Sequence, residues 1–288
     1  VTSRPERIVD AHVHLWDPAR TDWYPYLGGS VDLGLGDTSG MARRFDAATH
    51  RAESSGWNVV GLVNVAAATG VHSVSETLEL DRLAGSHGQP VAIVGGYVPT
   101  APVSEIVEQI DAQLAAERFR GVRPMGRTDR PVPDPAVLQA LRDRGLVLDL
   151  MVRSHQLTEA ARDLASVDDL VVVVEHAGWP ADGSEAEFTR WRDGITALAG
   201  LGDRVVCKLS GLAMPLGSVA PDTLAPWITG AIEAFGPHRC MFGSNFPVDG
   251  LHCTLEELFE SYATICRGLP PGDLESLFAG TAERTYRC

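Results

Sequence analysis

Leu170-Val-Val-Val-Val-Glu-His176 decides the fold of this chain. Leu170–Val174 is aliphatic without the polar alternation of a half-exposed strand, and it gives way at once to a carboxylic acid and an imidazole. An unbroken apolar run of this length reads as a strand buried on both faces, as in a parallel sheet covered by helices. Working outward, seven more runs have the same character: Arg7–Val13, Asn58–Ala66, Pro90–Tyr97, Phe119–Arg123, Leu146–Val152, Arg204–Leu209 and Arg239–Gly243. With Leu170–Glu175 they make eight strand candidates.

The intervening segments read as helices. Val103, Ile106, Val107, Ile110 and Leu114 lie on one apolar stripe. Asp134-Pro135 supplies an N-cap followed by a first-turn proline, Val137, Leu138 and Leu141 form the buried side, and Gly145 closes that helix. Helices also fit Met41–Ser54, Thr158–Ala165, Glu185–Ala199, Asp222–Phe235, Thr254–Gly268 and Asp273–Tyr286. Eight βα units in 288 residues have the size of a distorted (β/α)8 TIM barrel, and no domain linker or repeat interrupts them, so a single domain over 1–288 is expected. An open doubly wound sheet is the rival, but neither GxGxxG nor GxxxxGK[ST] occurs. Residues 17–40, with Gly28, Gly29, Gly34 and Gly36, form the longest stretch without a secondary-structure pattern and are expected to be an active-site loop.

Composition narrows the function. The net charge of −14 argues against nucleic acid or an anionic membrane as partner, since both need a basic face. No apolar run approaches the ~20 residues of a membrane span. The five cysteines form no CxxC pair and read as free thiols, and Val1-Thr-Ser-Arg-Pro5 lacks the apolar core of a signal peptide. A cytoplasmic location is the expectation. Lys208 is the single lysine among 24 basic residues.

In a barrel of this kind chemistry sits where the strands end. The first strand ends in His12-Val-His14, and residues two apart on a strand point the same way. The fourth ends in Arg123-Pro124, the fifth near Arg153-Ser-His155, the sixth in Glu175-His176, the seventh in Cys207-Lys208, and the eighth in Gly243-Ser-Asn245-Phe-Pro-Val-Asp249. A lone histidine at a strand end is usually a hydrogen-bonded structural residue. Four on one rim, His12, His14, His155 and His176, are what a divalent metal such as Zn²⁺ takes as ligands. His50, His72, His87, His238 and His252 look incidental. No GxSxG elbow and no HExxH is present.

Ile8-Val-Asp-Ala-His-Val-His-Leu-Trp-Asp-Pro18, Gly121-Val-Arg-Pro124, Glu175-His-Ala-Gly-Trp-Pro180, Cys207-Lys-Leu-Ser-Gly211 and Met241-Phe-Gly-Ser-Asn-Phe-Pro-Val-Asp249 resemble the amidohydrolase-related family. More narrowly they resemble its lactonase-like branch, the fuconolactonase, sulfomuconolactone hydrolase and 2-pyrone-4,6-dicarboxylate lactonase type. The resemblance runs in order from about residue 8 to the C-terminus. It implies a distorted barrel, metal-ligand positions at His12, His14, His155 and His176, and attack of water on a lactone or ester carbonyl. Metal dependence varies within the branch, and the pyrone lactonase type works without one. One departure stands out: the family's eighth-strand aspartate is Asn245 here, and a neutral amide is not a general base. Asp249, four residues on, is the preferred substitute. Glu175 ranks below it, because neighbours on a strand face opposite ways.

Three functions remain open. The first is a metal-assisted hydrolase of a small lactone or ester. In it His176, Asn245, Asp249 and Lys208 serve the chemistry, Arg123 or Lys208 meets a carboxylate or oxyanion, and Trp16, Tyr24, Tyr26 and Trp179 line the pocket. The second is a lyase, a decarboxylase or dehydratase on the same histidines. The third is a small-molecule binding barrel with impaired catalysis. The expected partner is a small-molecule substrate, with homo-oligomerisation left open.

Overall fold

A computed structural model describes residues 4–29, 36–124 and 130–288. Eight parallel strands follow one another in sequence order around one sheet. They are β1 (Ile8–Val13), β2 (Val59–Val65), β3 (Ala92–Tyr97), β4 (Phe119–Pro124), β5 (Val147–Leu150), β6 (Val172–Val174), β7 (Val205–Leu209) and β8 (Cys240–Phe242). The helices are α1 (Ala47–Glu53), α2 (His72–His87), α3 (Val103–Gln113), α4 (Pro135–Asp143), α5 (Leu157–Leu164), α6 (Glu185–Ala199), α7 (Ala213–Leu216), α8 (Pro221–Phe235), α9 (Leu255–Ile265), α10 (Pro271–Glu275) and α11 (Thr281–Tyr286). The distorted (β/α)8 barrel is thus the architecture.

Closure between β8 and β1 differs from the other seams. The strand pairs from β1·β2 to β7·β8 form parallel ladders, with register shifts in β1·β2 and β3·β4, whereas the last seam is stitched just past β8. There Val13 bridges Phe246, the His14 amide donates to the Phe246 carbonyl (2.8 Å), and the Asn245 amide donates to the His12 carbonyl (2.7 Å).

The barrel interior is lined by Val9, Val63, Val94, Val147, Val173 and Met241, and Ala279, Ala282 and Tyr286 from the C-terminal segment pack against them. Arg7, just before β1, pairs with Glu275 and Glu283, which fastens that segment under the strand N-termini. A second, larger core lies between sheet and helices, where Trp191, Trp227 and Phe188 meet edge to face or tilted at 4.9–5.4 Å.

The caps follow the sequence chemistry. Asp134 accepts from the Ala136 amide at 2.9 Å with Pro135 in the first turn, and Thr254 with Glu257 forms a capping box. Three expectations are corrected. Helix α2 was not foreseen, because its buried stripe is Ser73, Glu76, Thr77, Leu80 and Ala84, mostly polar. The expected helix Asp273–Tyr286 is three pieces, α10, a π-helical turn at Ser276–Gly280, and α11. Within the loop 17–40, Pro25–Gly28 is a 3₁₀ turn with Tyr26 and Leu27 buried, and residues 30–35 lie outside the described residues. All five cysteines are free. No helix among the described residues is long and apolar enough to cross a membrane.

Candidate metal centre and its surroundings

The first strand delivers its histidines by a local irregularity. Asp10 pairs with Leu62 and Val13 with Asn64, so β1 spends three residues where β2 spends two. The extra residue is a bulge, which re-aims the side chains beyond it. Val9 and Ala11 belong to the interior cluster, and the shift between Asp10 and Val13, an interval that contains His12, brings His12 and His14 together.

His12 Nε2 and His14 Nε2 are 3.3 Å apart, and the His12 ring lies 4.6 Å from that of His176. His14 Nδ1 sits 2.8 Å from the Val65 carbonyl. A carbonyl accepts, so Nδ1 carries the proton and Nε2 is a bare lone pair. His176 Nδ1 is 2.9 Å from Ser210 Oγ, so its Nε2 is left for the cluster. Burial, above all, pushes His14 down to about 3, and it pushes His12 and His176 well below the usual histidine range. The imidazoles are neutral.

His176 reaches the cluster because β6 stops at Val174. The chain then turns through left-handed backbone at His176 (φ 54°), Ala177 (φ 49°) and Trp179 (φ 39°). Each such residue costs roughly 1–2 kcal/mol. The Trp191 indole N–H holds the turn by donating to the Ala177 carbonyl at 2.6 Å. Two glycines make room: a Cβ at Gly211 would lie 2.4 Å from His176 Nδ1, and one at Gly243 would lie 2.6 Å from the His12 Cβ.

The same turn corrects the ranking of the carboxylates. Strand alternation no longer applies past Val174, and Glu175 joins His176 in the cluster. His12, Glu175 and His176 each offer a donor within 4.8 Å of the others. Glu175 Oε1 lies 3.8 Å from His12 Nδ1 and Oε2 lies 3.6 Å from an Arg123 nitrogen. His12 Nδ1 and both Glu175 oxygens are buried with no hydrogen-bond partner among the described residues. Burial raises the Glu175 carboxyl, while Arg123 works against that. This donor set fits a divalent cation. The Nε2 atoms of His12 and His14, 3.3 Å apart, match the edge of a tetrahedron with ligand bonds of about 2.0–2.1 Å. The outward Nδ1 anchors on Val65 and Ser210 are what holds a ligating histidine in place.

The other expected residues divide. Asn245 lies in left-handed backbone (φ 57°) at the closing seam, beside the His14 ring. Its amide Nδ2 donates to Asp249 Oδ1 at 2.8 Å, so its carbonyl oxygen is turned away from Asp249. Burial pushes Asp249 up to about 7. Asp249 therefore stands behind Asn245. Trp16 stacks on His14 (5.9 Å, 3°), with its indole N–H on the Arg43 carbonyl, and Trp179 sits edge-on to His176 at 5.1 Å. Tyr24 donates to Glu76 at 2.9 Å and Tyr26 to the Ala67 carbonyl at 2.9 Å, so both phenols fasten the loop to the β2–α2 turn. Glu76, raised to about 7 by burial, also accepts the Ala67 and Ala68 amides.

Two candidates are placed elsewhere. His155 is exposed in a 3₁₀ turn, Ser154–Gln156, after β5 has ended at Leu150, and it is not part of the donor group. Lys208 is wholly buried with its ammonium 2.6 Å from Asp149 Oδ2, and the Tyr286 hydroxyl lies 2.8 and 2.9 Å from the two Asp149 oxygens. Its charge is paired with Asp149 inside the barrel, near enough to the cluster to help keep His12, His14 and His176 neutral. Arg123 does reach the cluster, but its guanidinium is engaged by the Ala66 carbonyl and Glu175. Sequence reasoning passed over Asp149. The signal was there: a lone acid inside Val147-Leu-Asp-Leu150 and a lone lysine inside Val205-Val-Cys-Lys-Leu209 can only be buried as a pair.

An amidohydrolase family model matches residues 9–288. An L-fucono-1,5-lactonase of Burkholderia multivorans is 29% identical over 310 residues, covering 96% of this chain and 95% of its own. An uncharacterized protein of Sinorhizobium fredii is 29% identical, with 97% and 98% covered. The crystal structure of a Burkholderia multivorans amidohydrolase with bound Zn is similar at 27% identity and a TM-score of 0.81, covering 97% of this chain and 99% of that one. The chain belongs to the amidohydrolase family and is an enzyme of that superfamily.

Proposed function

We propose that this enzyme hydrolyses a small lactone or ester at the C-terminal mouth of the barrel, with His12, His14 and His176 as ligands of a divalent cation of the zinc type. The observation that carries the reading is the convergence of three neutral imidazoles beside a buried carboxylate whose oxygens have no partner among the described residues. Similarity over nearly the full length to a lactonase supports the carbonyl substrate. When bound, such a cation lowers the pKa of water and polarises a carbonyl.

The chain's own residues do the rest. Asn245, held through its Nδ2 by Asp249, offers its carbonyl oxygen as acceptor and so orients the attacking water. It cannot take the proton. Glu175, at the imidazoles rather than one amide removed, is the carboxylate placed to receive it. Trp16, stacked on His14, and Trp179, edge-on to His176, set aromatic walls beside the histidines, suited to a ring-shaped substrate. Arg123 keeps positive charge beside the site, its terminal nitrogens directed to the Ala66 carbonyl and Glu175 and its Nε without a partner among the described residues.

A panel of sugar and aromatic lactones, with products identified by mass, tests the proposal in the presence of Zn²⁺. Glu175→Gln should abolish turnover and Asp249→Asn should lower it; full activity of both variants overturns the assignment. The amide at position 245 favours one rival, a lyase that needs no activated water, and release of CO₂ from carboxylated aromatics by the same protein would establish it.

A further inference from the structure

His50 seemed incidental in the sequence, yet it ends in a wholly buried hydrogen-bond network. Its Nε2 lies 2.9 Å from Asp10 Oδ2, and both side chains are almost fully enclosed. The other Asp10 oxygen accepts the Ser244 amide at 2.7 Å and the His12 amide at 3.3 Å. Asp10 therefore ties three pieces together: helix α1, the bulged end of β1 that carries His12, and the segment after β8 that carries Asn245. This is the seam where the ladder between β8 and β1 is incomplete, and where Asn245 in turn donates its amide to the His12 carbonyl. Ser54 completes what looks like a Ser-His-Asp arrangement, with Oγ 3.4 Å from His50 Nδ1. That hydroxyl instead donates to the His50 carbonyl at 2.8 Å, and Ser54 is buried. The trio braces; it does not attack.

We propose that His50 is a positioning residue of the active site, acting through Asp10 to fix the spacing between His12 on β1 and Asn245 after β8. Phe45 supports it from the same side, 6.0 Å from the His50 ring and 6.3 Å from Phe246, the residue that follows Asn245. Without the imidazole, one Asp10 oxygen is left buried and unpaired, and the carboxylate is free to tilt away from the Ser244 and His12 amides. The proposal rests on the metal-site reading above for its effect on cation affinity, but not for its effect on the seam.

The test uses His50→Leu, which keeps the volume and loses the donor, His50→Asn, which is too short to reach Asp10, and His50→Gln, whose amide nitrogen lies the same number of bonds from Cα as the imidazole Nε2. Amide hydrogen exchange is followed by mass spectrometry on the full metal-free chain. His50→Leu and His50→Asn should speed exchange in the 8–14 and 240–249 segments by about 10-fold, and His50→Gln should restore protection. Co²⁺ titration, read by the visible ligand-field bands, should show about 10-fold weaker binding in the first two and recovery in the third. If His50→Leu does not fold, the His50→Asn and His50→Gln pair decides. Faster exchange confined to residues 46–54, or unchanged Co²⁺ affinity beside a loosened seam, overturns the positioning role. A wild-type protein that gives no Co²⁺ complex refutes the metal-site reading instead, and the exchange result alone then decides the brace.

Discussion

Replacing Lys208 with Met probes the charged centre of the barrel. The Lys208 ammonium and Asp149 carboxylate are 2.6 Å apart with neither side chain exposed. Removing the ammonium leaves a buried carboxylate with the Tyr286 hydroxyl as its remaining donor among the described residues. Breaking such a pair from one side costs about 3–5 kcal/mol. Unfolding entropy of ~2.1 cal/mol/K per residue over 288 residues amounts to about 0.6 kcal/mol/K. The expected fall in Tm is therefore about 5–8 °C. Combining Lys208→Met with Asp149→Asn removes the stranded charge and leaves an amide oxygen for Tyr286, so the double variant should return to within ~3 °C of wild type. Circular dichroism melts of the wild type, both single variants and the double variant at pH 7 measure all four corners. If the double variant melts as low as the lysine variant, or Lys208→Met loses less than about 2 °C, the pair does not carry the energy assigned to it.

Other expectations are simpler to state. His176→Ala should eliminate stoichiometric Zn²⁺ after dialysis, read by atomic emission, and lactone turnover with it. Asn245→Asp sets two carboxyls about where 2.8 Å now separates an amide from Asp249, so the pair must share a proton. It should keep or raise hydrolysis while lowering Tm, and exchanging the two residues, Asn245→Asp with Asp249→Asn, should recover the Tm. Tyr24→Phe leaves Glu76 with its two amide donors. It should cost about 1 kcal/mol and increase protease cleavage between residues 17 and 40 at temperatures where the barrel stays intact.

The strands were legible because parallel burial leaves no choice of residue: Val172–Val174 is aliphatic on both faces since both faces are covered. Helix α2 was hidden by the opposite logic. Its inward stripe carries Ser73, Glu76 and Thr77 because that face hydrogen-bonds the turn after β2 and the Tyr24 phenol. Apolar periodicity has nothing to register there. Asp10 and His50 were invisible for a related reason. They lie 40 residues apart and meet only once α1 docks beside the β8–β1 seam.

The histidines show where strand-end reasoning gains and loses its hold. It supplies a direction for a side chain only while the backbone stays extended. His12 lies within β1 in a bulged interval that the register, not the composition, reveals. His176 lies two residues beyond β6, and a left-handed turn brings both it and Glu175 into the cluster, against the alternation expected of neighbours. His155 lies five residues beyond β5. With Val147 lining the interior and Asp149 bonded to Lys208 within the barrel, His155 would share their side if β5 continued. The strand stops at Leu150 and the chain turns into the 3₁₀ helix at Ser154, which leaves the ring in solvent. Strand-end reasoning thus lost its hold at the residue farthest from its strand, while the carboxylate adjacent to His176, which alternation turned away, came into the cluster with it.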